Sequence, residues 1–353
     1  MRFAIFLTAL ALRAQQAPNC PGFQNCLYTP VNDTEFSGQV VPITYDDVTG
    51  TERTLEVFVR VPNVRGRMPV VIWAHGGGDG LAQANAGVFE RPSKLTAGAG
   101  YLTITPAFRP RTPEQKKPLC EFLGATTEEL CGVINTPAWD RPYDIQAIIK
   151  LLRRENTREE SPLFGRIDLE RIAVGGHSAG SGGTFSVAGA YRNFLDKRYG
   201  GVEYFEDPAP IAFIVLSPSA PGDSHMFDTS YRNSQTSWDN VTRPVLMLSG
   251  DGDAHEQVPH GRKVVFDHLP EANGTHYRFW FNDVAFGHGQ FGEDPCDVAG
   301  RRKCDSFLQA WGSAILSYLD GYVLKNQRAM DYLNNGYATR ITPPSFTIDM
   351  SRK

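Results

Sequence analysis

The sequence has no long hydrophobic run and no excess of positive charge. None of its apolar stretches is long enough to cross a bilayer, so we expect no integral membrane segment. Its 35 lysine and arginine residues are outnumbered by 39 aspartate and glutamate residues, which gives a formal net charge of −4. Proteins that bind nucleic acid carry a basic surface, so this charge balance argues against a nucleic-acid partner.

Several motifs that bind cofactors or metals are also missing. No Gly-Lys-Ser/Thr sequence is present, and no G-x-G-x-x-G follows the first buried strand, which argues against a phosphate or dinucleotide cradle. The absence of Cys-x-x-Cys argues against a zinc or redox site. We therefore expect neither a cofactor nor a metal. No internal repeat or linker divides the chain, which favours a single domain over residues 18–353.

The N-terminus has the pattern of a secretory signal peptide. A short positive segment, Met1-Arg2, precedes the ten-residue apolar run Phe3–Leu12, and small or polar residues continue to Ala17. This order predicts a signal peptide over residues 1–17, cleaved after Ala14 or Ala17, and hence an extracellular or periplasmic protein. A buried N-terminal helix is the alternative.

The cysteine spacing agrees with export. The six cysteines form three close pairs along the chain: Cys20 and Cys26, Cys120 and Cys131, and Cys296 and Cys304. Because neighbouring cysteines of exported proteins commonly pair, we predict three local disulfides.

The order of apolar segments predicts the fold class. Val40–Asp46 and Leu55–Val61 flank a turn and predict an antiparallel hairpin. Met68–Ala74 is a continuous apolar run, which is typical of a strand buried on both faces. Further strands, near residues 101–105, 172–174, 211–217, 244–249 and 277–281, alternate with helices near 141–155, 258–269 and 305–324. This alternation predicts an α/β protein with a mostly parallel central sheet, an antiparallel N-terminal hairpin and helices on both faces.

The segment around Ser178 predicts a nucleophile. The strand Ile172–Val174 leads into Gly176-His177-Ser178-Ala179-Gly180, and a helix-compatible segment of small residues follows. A G-x-S-x-G sequence between a strand and a helix is typical of a nucleophile elbow, which needs glycines around a strained serine. The alternative is a serine that only caps the helix.

A nucleophilic serine requires a histidine base and an acid that orients it. His288 follows the strand near 277–281, and two aspartates, Asp251 and Asp253, follow the strand near 244–249. The order Ser, Asp, His is the one expected after this elbow, with either aspartate as the acid. We expect the remaining histidines of this region, His255, His260, His268 and His276, to be surface residues. A metal cluster of Asp251, Asp253, His255 and Glu256 is a weaker alternative, because its spacing matches no common ligand motif.

An oxyanion hole completes the prediction. Backbone N–H groups can stabilise the negative oxygen that forms during acyl transfer. Ala179 supplies one such group, and Gly76 or Gly77, in the sequence His75-Gly-Gly-Gly, supplies the other. His75 and His177 lie in tight turns beside the predicted site, where we expect structural roles. The long segments 106–137 and 218–243 are expected to be loops that shape the substrate pockets.

The chain resembles secreted α/β-hydrolases of the dienelactone-hydrolase-like and platelet-activating-factor-acetylhydrolase-like esterases. The matching segments are Val71–Gly77, Arg141-x-x-Asp144, Gly176–Gly180, Pro244–Asp253, His288-x-x-Phe291 and the terminal stretch 307–333. The resemblance implies an α/β-hydrolase domain with a serine triad, favours Asp253 over Asp251 as the acid, and implies a carboxylic-ester substrate. Three glycines after His75 are shared with hormone-sensitive-lipase-like esterases. Short-chain, aromatic or polysaccharide-linked esters, either small or attached to a polymer, are the expected substrates. Peptidase, amidase, lipase or polyesterase activity and a non-catalytic binding role are the alternatives.

Overall fold

The computed structural model describes residues 26–77, 84–193, 202–220, 236–254, 261–296, 299–341 and 346–353. The predicted signal peptide and Cys20 lie outside the described residues. The strands are β1 Phe36–Asp46, β2 Glu52–Pro62, β3 Met68–Ala74, β4 Leu102–Ala107, β5 Ile167–His177, β6 Tyr191–Asn193, β7 Val202–Tyr204, β8 Pro210–Leu216, β9 Val245–Gly250, β10 His276–Asn282 and β11 Thr347–Arg352. The α-helices in the described part are α1 Glu90–Gly98, α2 Pro113–Phe122, α3 Glu128–Gly132, α4 Thr136–Thr157, α5 Ala179–Ala188, α6 Gly261–His268, α7 Arg301–Tyr322 and α8 Gln327–Asn334.

Nine of the strands form one sheet in the order β1-β2-β4-β3-β5-β8-β9-β10-β11. The six strands from β4 to β10 in this order run parallel to one another. The hairpin strand β2 pairs antiparallel with both β1 and β4, and β11 pairs antiparallel with β10. The predicted α/β class, with a mostly parallel sheet and an antiparallel N-terminal hairpin, is confirmed. The antiparallel edge strand β11 was not predicted.

The central strands are apolar along their whole length because helices cover both faces of the sheet. Every residue of β3 is buried. Val70 and Ile72 face a core that includes Trp139 of α4, whereas the alternating residues Val71 and Trp73 face a core that includes α7. A strand covered on both faces cannot alternate apolar and polar residues, which explains the continuous apolar run in its sequence.

The prediction of a loop over residues 106–137 was wrong, because the segment contains α2 and α3 and the first residues of α4. The signals for these short helices are local. Thr112 and Gln115 form a reciprocal capping box at the start of α2. The side chains of Thr127 and Asn135 accept backbone N–H groups at the starts of α3 and α4. Pro113 and Pro137 stand in the first turns of α2 and α4, where proline is tolerated, whereas Pro118 lies inside α2.

Two of the three predicted disulfides are present. Cys120 in α2 is bonded to Cys131 in α3, and Cys296 is bonded to Cys304 in α7, each with 5.3 Å between the Cα atoms. The predicted partner of Cys26 lies outside the described residues. Among the helices that the structure describes, none combines the length and the apolar character needed to cross a membrane.

Candidate active site

The predicted site residues meet at the carboxyl-terminal edge of the parallel strands. Ser178 directly follows β5, Asp253 follows β9, and His288 follows β10. The glycine loop that begins at His75 follows β3, the neighbour of β5 in the sheet. Because parallel strands all end at one edge of the sheet, residues from distant parts of the chain come together there.

Ser178 occupies a strained turn between β5 and α5. Its backbone has φ 54° and ψ −124°, a conformation that side-chain-bearing residues rarely adopt. A Cβ at Gly176 would lie 2.3 Å from the carbonyl oxygen of Gly180, and a Cβ at Gly180 would lie 2.0 Å from that of Ala74. The turn therefore requires glycine on both sides of Ser178. The side chain of Ser178 makes no capping hydrogen bond to α5, so the alternative role as a helix cap does not describe its geometry.

A chain of hydrogen bonds connects the three predicted catalytic side chains. The Oγ of Ser178 lies 2.7 Å from Nε2 of His288, and Nδ1 of His288 lies 2.9 Å from Oδ1 of Asp253. The Asp253 side chain is fully buried, whereas that of His288 is 39% exposed. The arrangement thus gives a hydroxyl in contact with a ring nitrogen that solvent and ligands can reach, backed by a carboxylate that they cannot.

Three further side chains support Asp253. Ser249 donates to its Oδ2 at 2.7 Å, Ser217 also donates to Oδ2, and Nε of Arg262 lies 2.7 Å from Oδ1. Burial alone would raise the pKa of the Asp253 carboxyl, but the hydrogen bond from His288 and the charge of Arg262 outweigh burial and lower it. Asp253 is therefore a carboxylate at neutral pH.

Sequence reasoning missed these supporting residues. Ser249 lies in β9 and Ser217 directly follows β8, so their places near the ends of parallel strands could have indicated a position near the site. Ser217 has φ 49°, and its Oγ also lies 2.5 Å from Nδ1 of His288. Arg262 lies at the second position of α6, and no pattern in the sequence distinguishes it from a surface arginine.

Asp251, the alternative acid, does not contact His288. Its Oδ1 accepts a hydrogen bond from the indole of Trp280 at 2.8 Å. Asp251 and Asp253 therefore have different partners, and the other members of the alternative metal cluster, His255 and Glu256, lie outside the described residues. In the described part of the chain, no group of three or more histidine, cysteine, aspartate or glutamate residues could hold a metal ion.

The expectation that His276 is a surface residue was wrong. It is the first residue of β10 and is fully buried, with Nε2 3.0 Å from the carbonyl oxygen of Val241. His268 is partly exposed and stacks on Trp238. His255 and His260 lie outside the described residues. The error arose because His276 is a polar residue directly before an apolar segment. The sequence does not show whether such a residue at the start of a strand is buried by neighbouring elements or exposed to solvent.

His75 and His177 are both buried beside the site. Burial lowers the pKa of each imidazole to about 4, so both are neutral at pH 7. Nε2 of His177 lies 2.8 Å from the carbonyl oxygen of His288, and its ring packs against the His288 ring with 4.8 Å between centroids. His177 thus holds the backbone that carries His288, as expected for a structural role.

The predicted oxyanion amides belong to Gly76, Gly77 and Ala179. Among the described residues, none of the three donates a hydrogen bond to another protein group. A Cβ at Gly76 would lie 3.1 Å from the Cβ of Ser178, so the glycine loop passes directly over the serine. Ala179 is the first residue of α5, where the helix dipole favours a negative charge.

A cleft of about 630 Å³ opens over these groups. Its lining includes Ser178, His288 and the glycine loop, together with Phe89, Glu293 and Asp294. This volume lies within the range of small-molecule sites, so the cleft can accept a compact ligand with one end placed over Ser178.

Comparison with known proteins gives no family for the chain. No family model matches it, and no curated protein is similar to it in sequence.

Proposed function

We propose that this protein is a serine hydrolase of carboxylic esters with the α/β-hydrolase fold. The observation that carries the proposal is the continuous hydrogen-bond chain from Ser178 through His288 to Asp253, built on a strained elbow at the mouth of a cleft. Such a chain joins a nucleophile, a base and the acid that orients the base. The antiparallel position of β2, the strand order and the chain order Ser, Asp, His all support this fold assignment.

In the proposed mechanism, His288 acts first as a base. Its Nδ1–H is held by Asp253, which leaves Nε2 free to take the proton from Ser178 as Oγ attacks the ester carbonyl carbon. The carbonyl oxygen becomes an oxyanion, which the amide of Ala179 and one amide of the glycine loop stabilise. His288 then gives its proton to the departing alcohol, and an acyl-enzyme remains. Water, activated by His288 as base, attacks this intermediate in turn, and the acid is released.

The proposed substrates are small or polymer-linked esters with short acyl or aromatic groups. The lining of the cleft includes the exposed residues Glu293 and Asp294 and the buried ring of Phe89. We also propose that the protein is exported, because two disulfides of the type found in oxidising compartments accompany the predicted signal peptide.

The first test is the variant Ser178→Ala. It removes the attacking oxygen, so we expect hydrolysis of p-nitrophenyl acetate to fall to the uncatalysed rate while the midpoint of urea unfolding stays close to that of the wild type. Ser186→Ala is the matched control, because Ser186 lies on the same helix and its hydroxyl donates to the backbone carbonyl oxygen of Gly182 rather than to a side chain of the site. Turnover retained by Ser178→Ala would contradict the proposed mechanism. Amide substrates assayed in parallel distinguish an esterase from a peptidase.

A further inference from the structure

We propose that His75, Phe108 and Arg141 form a lock behind the glycine loop and make the N–H of Gly77, rather than that of Gly76, the loop's donor to the oxyanion. We call these three residues the loop lock. The inference rests on the proposed function, because an oxyanion forms only if Ser178 attacks a carbonyl group. In this scheme His75, Phe108 and Arg141 are positioning residues, since they act on the substrate only through the backbone of the loop.

The hydrogen bonds of His75 fix both its tautomer and the first peptide group of the loop. The backbone N–H of Phe108 donates to Nε2 of His75 at 3.3 Å, so Nε2 is an acceptor. The neutral ring therefore carries its proton on Nδ1, which lies 2.6 Å from the carbonyl oxygen of Gly76 and donates to it. The peptide bond between Gly76 and Gly77 is trans. The N–H of Gly77 must then point away from the His75 ring, opposite to the carbonyl group that the ring holds.

Arg141 fixes the next peptide group. Its guanidinium donates to the carbonyl oxygen of Gly77. Gly77 has φ +87°, a conformation that favours glycine, and it lies between the two held carbonyl groups. His75 binds the carbonyl oxygen of Gly76, and Arg141 binds that of Gly77. Neither of the two peptide groups to which these carbonyls belong can therefore rotate without breaking a hydrogen bond. These two bonds constrain the Gly77 N–H. The preceding peptide carries the Gly76 N–H, and among the described residues none donates a hydrogen bond to its carbonyl group, that of His75.

Phe108 connects the two polar members of the lock. It follows β4, is buried, and supplies the N–H that sets the His75 tautomer. Its ring lies 4.9 Å from the His75 ring and 5.1 Å from the guanidinium carbon of Arg141. A guanidinium over an aromatic face is held by both packing and charge. The ring therefore limits the positions that Arg141 can take, and Arg141 in turn limits Gly77.

Arg141 also places a buried positive charge behind the loop. It lies near the start of α4 and is almost fully buried. Burial lowers the pKa of its guanidinium to about 10, which still leaves it charged at pH 7. A fixed positive charge on the far side of Gly77 favours the charged transition state over the neutral ester, so its removal should affect kcat more than KM.

The experiment compares Arg141→Met with Arg141→Lys and with a matched control. The probes are p-nitrophenyl acetate and an aryl trifluoromethyl ketone, to whose carbonyl carbon Ser178 Oγ adds while His288 takes the proton, giving a bound oxyanion. Because removal of a whole oxyanion donor costs on the order of 100- to 1,000-fold in kcat, we expect loss of the positioning group to cost at least about 10-fold. KM should change less than about threefold, and inhibition by the ketone should weaken by the same factor as kcat. Arg141→Lys should restore part of both losses, because it keeps the charge and a donor.

Arg278→Met is the control, because Arg278 is also a buried arginine, packed on the ring of Phe266 at 4.9 Å, but lies on β10 away from the glycine loop. It should keep the wild-type ratio of ketone affinity to KM.

If Arg141→Met fails to fold, His75→Leu and His75→Asn make the same comparison, since asparagine keeps a donor for the carbonyl oxygen of Gly76 and leucine does not. Wild-type kcat in Arg141→Met and His75→Leu, or a loss of kcat without a loss of ketone affinity, would overturn the loop lock. Absence of ester hydrolysis in the wild type would instead overturn the proposed function.

Discussion

Asp253 is the residue on which most of the buried polar groups at the site converge. A carboxylate removed from water is costly unless several donors replace the solvent. Asp253 has such donors from four directions, namely His288, Arg262, Ser217 and Ser249. The side chain of Arg262 is only 7% exposed, so the ion pair is largely shielded from solvent. Removal of either Asp253 or Arg262 alone leaves the other buried charge without its ion-pair partner.

This burial predicts strong energetic coupling between Asp253 and Arg262. Arg262→Met should lower the free energy of unfolding by about 3 kcal/mol, because breaking a buried pair leaves the remaining charge unpaired. Asp253→Asn should have a similar effect, and the double variant should be more stable than the sum of the two losses implies, by about 2 kcal/mol. Urea unfolding of the four proteins measures this coupling. Additive losses would show that the pair contributes nothing beyond its separate contacts.

The meeting of the three side chains of the candidate site could be predicted from the sequence because each of them follows a strand. Ser178 stands in a motif whose geometry depends on its neighbouring glycines, and Asp253 and His288 follow apolar runs in the expected order. The residues that support Asp253 could not be predicted in the same way. Arg262 reaches Asp253 only because α6 packs beside β9. Nothing in the sequence of either segment indicates that the two come into contact. The burial of His276 also follows from tertiary packing rather than from local sequence.

At the scale of elements, the packing of α5 against the end of β3 determines where Ser178 lies relative to the backbone that follows β3. The helix lies so close to the strand that Gly180 has the carbonyl oxygens of Ala74 and His75 where a Cβ would stand, at 2.0 and 2.6 Å. These acceptors belong to the backbone that continues into the glycine loop. The same contact therefore positions Ser178 and the glycine loop relative to each other.

Gly180→Ala should consequently disturb both stability and catalysis. The added methyl group cannot fit without moving α5 away from β3, and overpacking of this kind costs about 1–3 kcal/mol. We expect kcat to fall at least about 10-fold, since small misplacements of reacting groups cost factors of this size or more. The control is Gly98→Ala at the end of α1, where a Cβ meets no atom within 4 Å. This substitution should be neutral or stabilise by up to about 1 kcal/mol. Steady-state kinetics and thermal unfolding of both variants test the contrast, and equal behaviour would contradict it.

The long elements could be predicted, but the short ones could not. Strand β3 is predicted residue for residue because both of its faces are buried and the whole segment must be apolar. Helices α2 and α3 have few buried residues, so hydrophobic periodicity says little about them, and only their caps mark their starts. The edge strand β11 has alternating burial and forms by pairing with β10, a partner some 70 positions earlier in the chain. Such pairing depends on the finished sheet.

Across the whole molecule, buried titratable groups act on stability in opposite directions as the pH falls. Burial lowers the pKa of His276 from 6.5 to about 4, so as the pH falls its imidazole is protonated in the unfolded chain before it is protonated in the folded one. Acid therefore favours the unfolded state at this residue. Burial raises the pKa of Asp320 above its usual value, although Tyr28 and Tyr101 donate to it, so this carboxyl favours the folded state as acid is added. The net pH dependence is a balance of both kinds of group, and a single substitution is needed to separate one contribution.

His276→Gln makes this separation, because glutamine can still donate to the carbonyl oxygen of Val241 and does not titrate. The folded pKa of His276 lies below its unfolded value, so its contribution is fully present above pH 6.5 and is lost as the pH falls towards 4. A folded pKa that lies one pH unit below the unfolded one corresponds to about 1.4 kcal/mol, so the stability of the wild type relative to the variant should fall by up to about 3 kcal/mol between pH 7.5 and pH 4. Urea unfolding of both proteins at half-unit pH intervals measures the difference. A difference that stays constant over this range would show that His276 is protonated in the folded protein as readily as in the unfolded chain. Burial would then not lower the pKa of His276, and the prediction would be wrong.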